Sequence, residues 1–132
     1  MFNPSIVGQG KGERTMANWD EDAVTMAVEA ARDALPIGTD PIKSRRIVDA
    51  LFFASTTMPF ADRQNAGIVA GALSLREDIQ TTDVTGSQRA GLSALIAGLE
   101  KAKSGGAKTV LLTSSDRRKA RAGSTQEFQT GD

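Results

Sequence analysis

Two kinds of apolar pattern alternate along this chain, and that alternation restricts its fold more than any other feature. Between Ala23 and Leu35 the residues Ala23, Val24, Ala27, Ala30, Ala31, Ala34 and Leu35 recur at helical spacing. Asp20, Glu21 and Asp22 stand just before them, where acidic caps and first-turn charges favour a helix start. Pro36 and Gly38 stop the helix. Ile47–Ser55 is then a short, almost continuous apolar run, as in a parallel strand covered on both faces, with Asp49 at its entry. A loop, Thr56–Phe60, leads to an Ala/Gly-rich helix over Arg63–Leu73 and a β-branched strand over Ile79–Thr85. A tight turn at Gly86–Gln88 opens a third helix, Arg89–Lys103, whose apolar face is Leu92, Leu95, Ile96 and Leu99. Thr109–Ser114 is a third buried strand. Helix, strand, helix, strand, helix, strand predicts an α/β fold with a mostly parallel sheet and helices on both faces. Residues 1–18 read as a loop or tail, 19–132 as the α/β domain, and Gly123–Asp132 as a closing loop.

Composition narrows the chemistry further. A chain of 132 residues is one domain at most. Sixteen basic and sixteen acidic side chains cancel, so nothing global points to nucleic acid or an anionic membrane. No apolar run is long enough to span a bilayer, and Met1–Gly12 lacks a signal-peptide pattern, so a cytoplasmic location is expected. Cysteine and histidine are both absent. Disulfides, Cys/His metal sites, thiol nucleophiles and imidazole-based triads are therefore closed to this chain, and no metal is expected.

In open α/β sheets ligands bind beyond the carboxyl ends of the strands. Three segments occupy such ends: Ser55–Phe60, Gly86–Arg89 and Ser114–Arg121. The middle one is a strand-to-helix turn, which exposes a side chain above the sheet and sets it at a positive helix end. Ser87 has no visible base and reads as a turn or cap residue. Arg117, Arg118, Lys119 and Arg121 suit the phosphates of a nucleotide or coenzyme A, or else a solvated basic surface. Gly8, Gly10 and Gly12 resemble a phosphate loop only superficially, lacking a strand before and a helix after. Trp19 reads as a packing residue.

Several stretches, taken in order, resemble the N-terminal part of two thiolase-superfamily groups, the hydroxymethylglutaryl-CoA synthases and the ketoacyl synthases that start fatty-acid chains. Gly12–Thr15 with Asp20–Ala27 is similar to the entry of their first long helix, and Leu51–Pro59 to the following strand and loop. Asp83–Gly91 resembles their Asp-aliphatic-x-x-x-Cys-x-x-Gly elbow, Thr109–Asp116 the next core strand, and Gln129–Asp132 the approach to a glycine-rich turn. The resemblance implies a thiolase-like fold, present as part of its N-terminal half. It implies a coenzyme A thioester as substrate, with no covalently bound cofactor; the cofactor-binding candidates, Arg117, Arg118 and Arg121, come from the basic run itself. It sets Gln88 where the family has its nucleophilic cysteine, and Thr56 where the synthases carry a glutamate and the ketoacyl synthases commonly a threonine. The family's catalytic histidine lies in a C-terminal half this chain lacks, and the chain begins after the family's usual first strand.

An amide is not a nucleophile, so Gln88 excludes a covalent acyl-enzyme at that position. Three readings follow from the resemblance: part of an acyl-CoA condensing enzyme completed by other polypeptide; a decarboxylase-like variant with Gln88 in the oxyanion site; or a non-catalytic scaffold. The last would pair with an active thiolase-like subunit or with a zinc-ribbon/OB-fold protein. A soluble α/β domain without related function is the bland alternative. A partial unit of this fold should expose apolar helix faces such as Leu92–Leu99, so a homo- or hetero-oligomer is expected, with the segment around Thr109–Ser114 as a contact.

Overall fold

The computed structural model describes residues 5–8, 13–35 and 45–129. Strands β1 (Ser5–Gly8) and β2 (Glu13–Met16) pair antiparallel, with Ser5 opposite Met16 and Gly8 opposite Glu13. This hairpin corrects the reading of residues 1–18 as a loop or tail. Gly10 and Gly12 lie outside the described residues. A strand does run into Gly8, but the chain returns as a second strand where a phosphate site needs a helix.

Helix α1 (Ala23–Ala34) starts at Asp22, whose carboxylate accepts from the Thr25 N–H while the Thr25 hydroxyl accepts from the Asp22 N–H, both at 2.8 Å. This reciprocal box satisfies two otherwise unpaired donors at the helix start. Pro36 and Gly38, read as its stop, lie outside the described residues. The remaining elements are β3 (Ala50–Ala54), α2 (Asn65–Ala72), β4 (Gln80–Val84), α3 (Ala90–Lys103), β5 (Val110–Ser114) and a short helix, α4 (Thr125–Gln129). The first strand is shorter than the apolar run suggests. Ile47 is exposed in a turn, and the ladder begins only after Asp49, whose carboxylate accepts the N–H groups of Lys108 and Thr109 at 2.9 and 3.0 Å. The segment read as a closing loop contains α4.

Strands β4, β3 and β5 form an all-parallel sheet in that order, with Ala50 level with Gln80 on one side and Val110 on the other. Central β3 is buried along its whole length. Its alternate side chains feed two cores. Leu51 and Phe53 pack with α1 and α2, whereas Ala50, Phe52 and Ala54 pack with Ala90 and Ala94 of α3. The chain steps from β3 to β4 one way and from β4 back past β3 to β5 the other way. With crossovers of one hand, that reversal places α2 and α3 on opposite faces.

Helix α3 exposes the apolar face that a partial unit was expected to leave uncovered. Its buried side is Ala90, Ala94 and Gly98, while Leu92, Leu95, Ile96 and Leu99 are 58%, 47%, 49% and 62% exposed. The cause is close approach. A Cβ on Gly91 would stand 3.2 Å from the Ser114 hydroxyl oxygen, and one on Gly98 3.3 Å from a Val110 methyl. Only the small-residue side fits that tightly against β5, so the bulky stripe turns outward. Trp19, expected to pack, is instead 89% exposed, ahead of the α1 cap. No helix among the described residues is long and apolar enough to cross a membrane.

Candidate functional site

The carboxyl ends of β3 and β4 lie side by side, and the loops that leave them go to opposite faces of the sheet. Such a divergence opens a crevice above a parallel sheet. Here it is an open cleft of about 600 Å³ lined by Thr56 from the β3 side, Gly86, Ser87 and Gln88 from the β4 side, and Arg118 and Gln126 beyond β5. A smaller cleft of about 240 Å³ continues beneath it, between Ser55, Gln88, Gly91, Ser114 and Asp116. Thr56 and Gln88 line both.

The elbow that carries Gln88 is built by Gly86 and Ser87. Gly86 adopts φ 87°, a left-handed backbone that a side chain would strain. The Ser87 hydroxyl accepts from the Arg89 N–H at 3.1 Å, the turn role expected for it. Gln88 is exposed just ahead of the first turn of α3, and Arg89 at the cap position makes no side-chain capping bond.

On the other wall a single carboxylate organises the loop after β3. Asp116 Oδ1 accepts from the Thr56 N–H at 2.6 Å and from the hydroxyls of Ser55 and Thr56, each at 3.0 Å. Ser55 in turn accepts from the Thr57 N–H at 3.0 Å. Partial burial alone would raise the Asp116 pKa, but these hydrogen bonds, with the Arg118 guanidinium 3.4 Å away, hold it below the usual carboxylate range. Asp116 is therefore an anion whose acceptor capacity is spent on positioning Thr56.

A second carboxylate fixes the far side of the same loop. Helix α2 has no side-chain cap of its own at Gln64. Asp83 of β4 supplies one from across the sheet, accepting the N–H groups of Asn65 and Ala66 at 2.8 and 2.6 Å. Asn65 is buried, donating to Asp83 and to the Phe60 carbonyl and accepting from the Phe60 N–H. Sequence reasoning assigned no role to Asn65, Asp83 or Asp116. For the two aspartates the signal was present, a lone carboxylate near the carboxyl end of a β-branched or apolar strand, Asp83 within β4 and Asp116 just past β5; for Asn65 there was none.

The three arginines separate. Arg118 lines the larger cleft. The Arg117 guanidinium reaches the Trp19 carbonyl at 3.1 Å, tying the segment before α1 to the end of β5, and the Arg117 backbone N–H donates to the Thr57 hydroxyl at 2.8 Å. Arg121 is exposed, its carbonyl accepting from the Ser124 N–H. Among the described residues no group of three or more His, Cys, Asp or Glu side chains could hold a metal ion.

This arrangement can be set against known proteins. No family model matches the chain. The hydroxymethylglutaryl-CoA synthase of Pyrococcus furiosus is 33% identical over 120 residues, 90% of this chain and 33% of the synthase. A 3-oxoacyl-(acyl-carrier-protein) synthase III superposes with a TM-score of 0.70 at 23% identity, over 80% of this chain and 30% of that one. The fold is thiolase-like. Xanthomonas campestris OleA, in crystals holding lauric acid and lauroyl-CoA, is similar at a TM-score of 0.67 and 22% identity, over 77% of this chain and 29% of OleA. In sequence the thiolase-like chain matches hydroxymethylglutaryl-CoA synthases, and it spans about a third of the length of the curated relatives it matches.

Proposed function

We propose that this chain is the elbow-bearing part of an acyl-thioester enzyme of the hydroxymethylglutaryl-CoA synthase type, in which Gln88 holds a thioester carbonyl and does not attack it. The observation that carries this reading is the cleft above β3 and β4, where Gln88 at the start of α3 shares two adjoining clefts with Thr56. The amide N–H₂ of Gln88 and the positive end of α3 stabilise negative charge developing on a carbonyl oxygen. Thr56, held by Asp116, offers a hydroxyl on the opposite wall. A coenzyme A thioester is the substrate class, and Arg118 offers a cation beside the cleft. Proton transfer then has to come from thiolase-like polypeptide beyond this chain, which has no histidine. Support comes from the synthase relatives and from the thiolase-like neighbours, one of which holds lauroyl-CoA. The non-catalytic scaffold is the second reading, favoured by the cleft's lining: among the described residues the Ser and Thr hydroxyls there have no acid or base beside them except the committed Asp116.

Native mass spectrometry with and without acetyl-CoA tests the binding claim, with Gln88→Cys as its companion. The chain has no other cysteine, so any thiol signal belongs to the elbow. A cysteine at the end of a helix dipole should ionise below the ordinary value of about 8.5. The expected result is retention of acetyl-CoA by the wild type and gain of one acetyl group by Gln88→Cys. A chain that ignores acetyl-CoA, and a Gln88→Cys thiol with an ordinary pKa and no acetylation, would leave only the scaffold.

A further inference from the structure

We propose that the amino end of the sheet carries a second binding site, for a phosphate-bearing small molecule, in a cavity lined by Arg45, Arg46, Ser74, Leu75, Arg76 and Glu77. Its volume of about 360 Å³ lies within the range of small-molecule pockets. Arg45 and Arg46 are helical residues just before the turn that enters β3, and residues 74–77 belong to the segment between α2 and β4. The cavity shares no lining residue with either cleft at the carboxyl ends. Strands of five residues separate the two places, about 15 Å at the usual rise. The site therefore does not depend on the thioester reading.

Arg76 is fixed in place, its Nε donating to Asp78 at 3.1 Å and its Nη2 to Asp49 at 3.3 Å. These bonds take two of its five N–H groups. Asp49 and Asp78 are thus spent on one arginine, whereas Arg45 and Arg46 make no ion pair or side-chain hydrogen bond among the described residues. Guanidinium N–H groups in a planar fork match phosphate oxygens in pairs. The end of α2 offers an anion little opposition, because its Val69, Ala70 and Gly71 carbonyls are already taken by the N–H groups of Leu73, Leu75 and Ser74. Ser74 is a second, independent pointer. Its φ of 52° is a left-handed backbone that serine adopts only at a cost, and its hydroxyl makes no hydrogen bond among the described residues. Strain of this kind persists at ligand clamps, where the side chain is needed. A hydroxyl beside three arginines is a donor that an unstrained glycine could not supply. Glu77 in the lining opposes an anion, and Asp49 and Asp78 temper the positive charge. Binding is accordingly weak, in the millimolar range, and firmer for a diphosphate than for a single phosphate.

Amide NMR of the isotope-labelled 13.9 kDa chain, titrated with pyrophosphate at constant ionic strength, reads the site directly. Saturable shifts are expected at the N–H groups of Ser74, Leu75, Arg76 and Glu77, and not at Gly86 or Ser87 in the cleft. Replacing Arg45→Gln and Arg46→Gln together should weaken binding about tenfold or more, the loss of charge-assisted hydrogen bonds. Both residues are exposed, so the spectrum of the double variant should match the wild type elsewhere. Glu77→Gln should tighten binding about threefold, the repulsion of one carboxylate at ~6 Å in water. Ser74→Gly should weaken it while relieving the backbone, which separates a ligand role from a stability role. Shifts no different from those given by sodium chloride at the same ionic strength overturn the proposal. So do shifts that survive the Arg45→Gln/Arg46→Gln pair, shifts confined to the cleft beside Arg118, and binding of acetate as tight as that of pyrophosphate.

Discussion

Replacing Asp116 by alanine should destabilise the chain by about 3 kcal/mol, and the figure can be built bond by bond. Hydrogen bonds to a charged acceptor contribute about 1.5–3 kcal/mol each, and a buried donor left without a partner costs about 1–3 kcal/mol. Asp116 Oδ1 takes three donors at 3.0 Å or less, from Ser55 and from the backbone and hydroxyl of Thr56. Ser55 is 2% exposed, so its hydroxyl has no ready access to water. Thr56 is half-buried, so water recovers part of its loss, which brings the sum down from its upper range. Asp116→Asn keeps an acceptor oxygen but loses the charge, and should cost about 1–1.5 kcal/mol by the same figures. Chemical denaturation of wild type and both variants at neutral pH reads these values directly.

The pH dependence supplies an independent check on Asp116. A carboxylate whose folded pKa lies below its unfolded value of about 3.9 stabilises the fold fully above that value. The contribution is lost as pH falls through the folded pKa. Wild type should therefore lose stability as pH drops below about 4, and Asp116→Asn should lose less over the same window. Asp49, whose pKa is lowered chiefly by the N–H groups of Thr109 and Lys108, keeps its own share of that slope in both proteins. An Asp116→Ala cost below about 0.5 kcal/mol, the range of an ordinary surface substitution, would refute the account.

Two further substitutions test the backbone and the helix–sheet contact. Ser74 ends α2 with φ 52°, its N–H donating to the Gly71 carbonyl while the Leu75 N–H reaches Ala70. This is the left-handed cap that glycine fills without strain, so Ser74→Gly should raise stability by about 0.5–1 kcal/mol in a denaturant titration. Gly98→Val should cost about 2 kcal/mol or more, since even its Cβ meets a Val110 methyl at 3.3 Å and the branch adds to it; a thermal melt no lower than wild type would show that α3 can lift from β5.

Much of the fold was legible because the sheet is parallel. A strand covered on both faces must be apolar throughout, and Leu51–Ala54 announces itself that way. The elbow was legible for a related reason: Gly86 marks a turn between a β-branched strand and a helix-period pattern. The hairpin at Ser5–Met16 was not, because its strands are four residues each and separated by a glycine-bearing stretch without clear alternation. The site was only half legible. Thr56 and Gln88 came from a resemblance, and they do share a cleft. The groups that hold them are 60 residues apart in the case of Thr56 and Asp116, and such a pairing leaves no local period to read.

Helix α3 shows why an apolar stripe need not be the face that meets the sheet. A helix carrying an elbow must lie close to the sheet, since its first turn has to bring the end of β4 over the crevice beside β3. That closeness requires glycine or alanine wherever the helix meets β5, at Gly91, Ala94 and Gly98. Burial on this side is then accomplished by residues with little apolar signal of their own. The strong signal at Leu92, Leu95, Ile96 and Leu99 belongs to the other side, where the same helix has room for bulk. Four large aliphatic side chains facing solvent are costly to leave uncovered, at about 25 cal/mol for each Å² of apolar surface kept in water. One side of α3 thus positions Gln88, and a change on that side, at Gly91, Ala94 or Gly98, should disturb the cleft that Gln88 and Gly91 line.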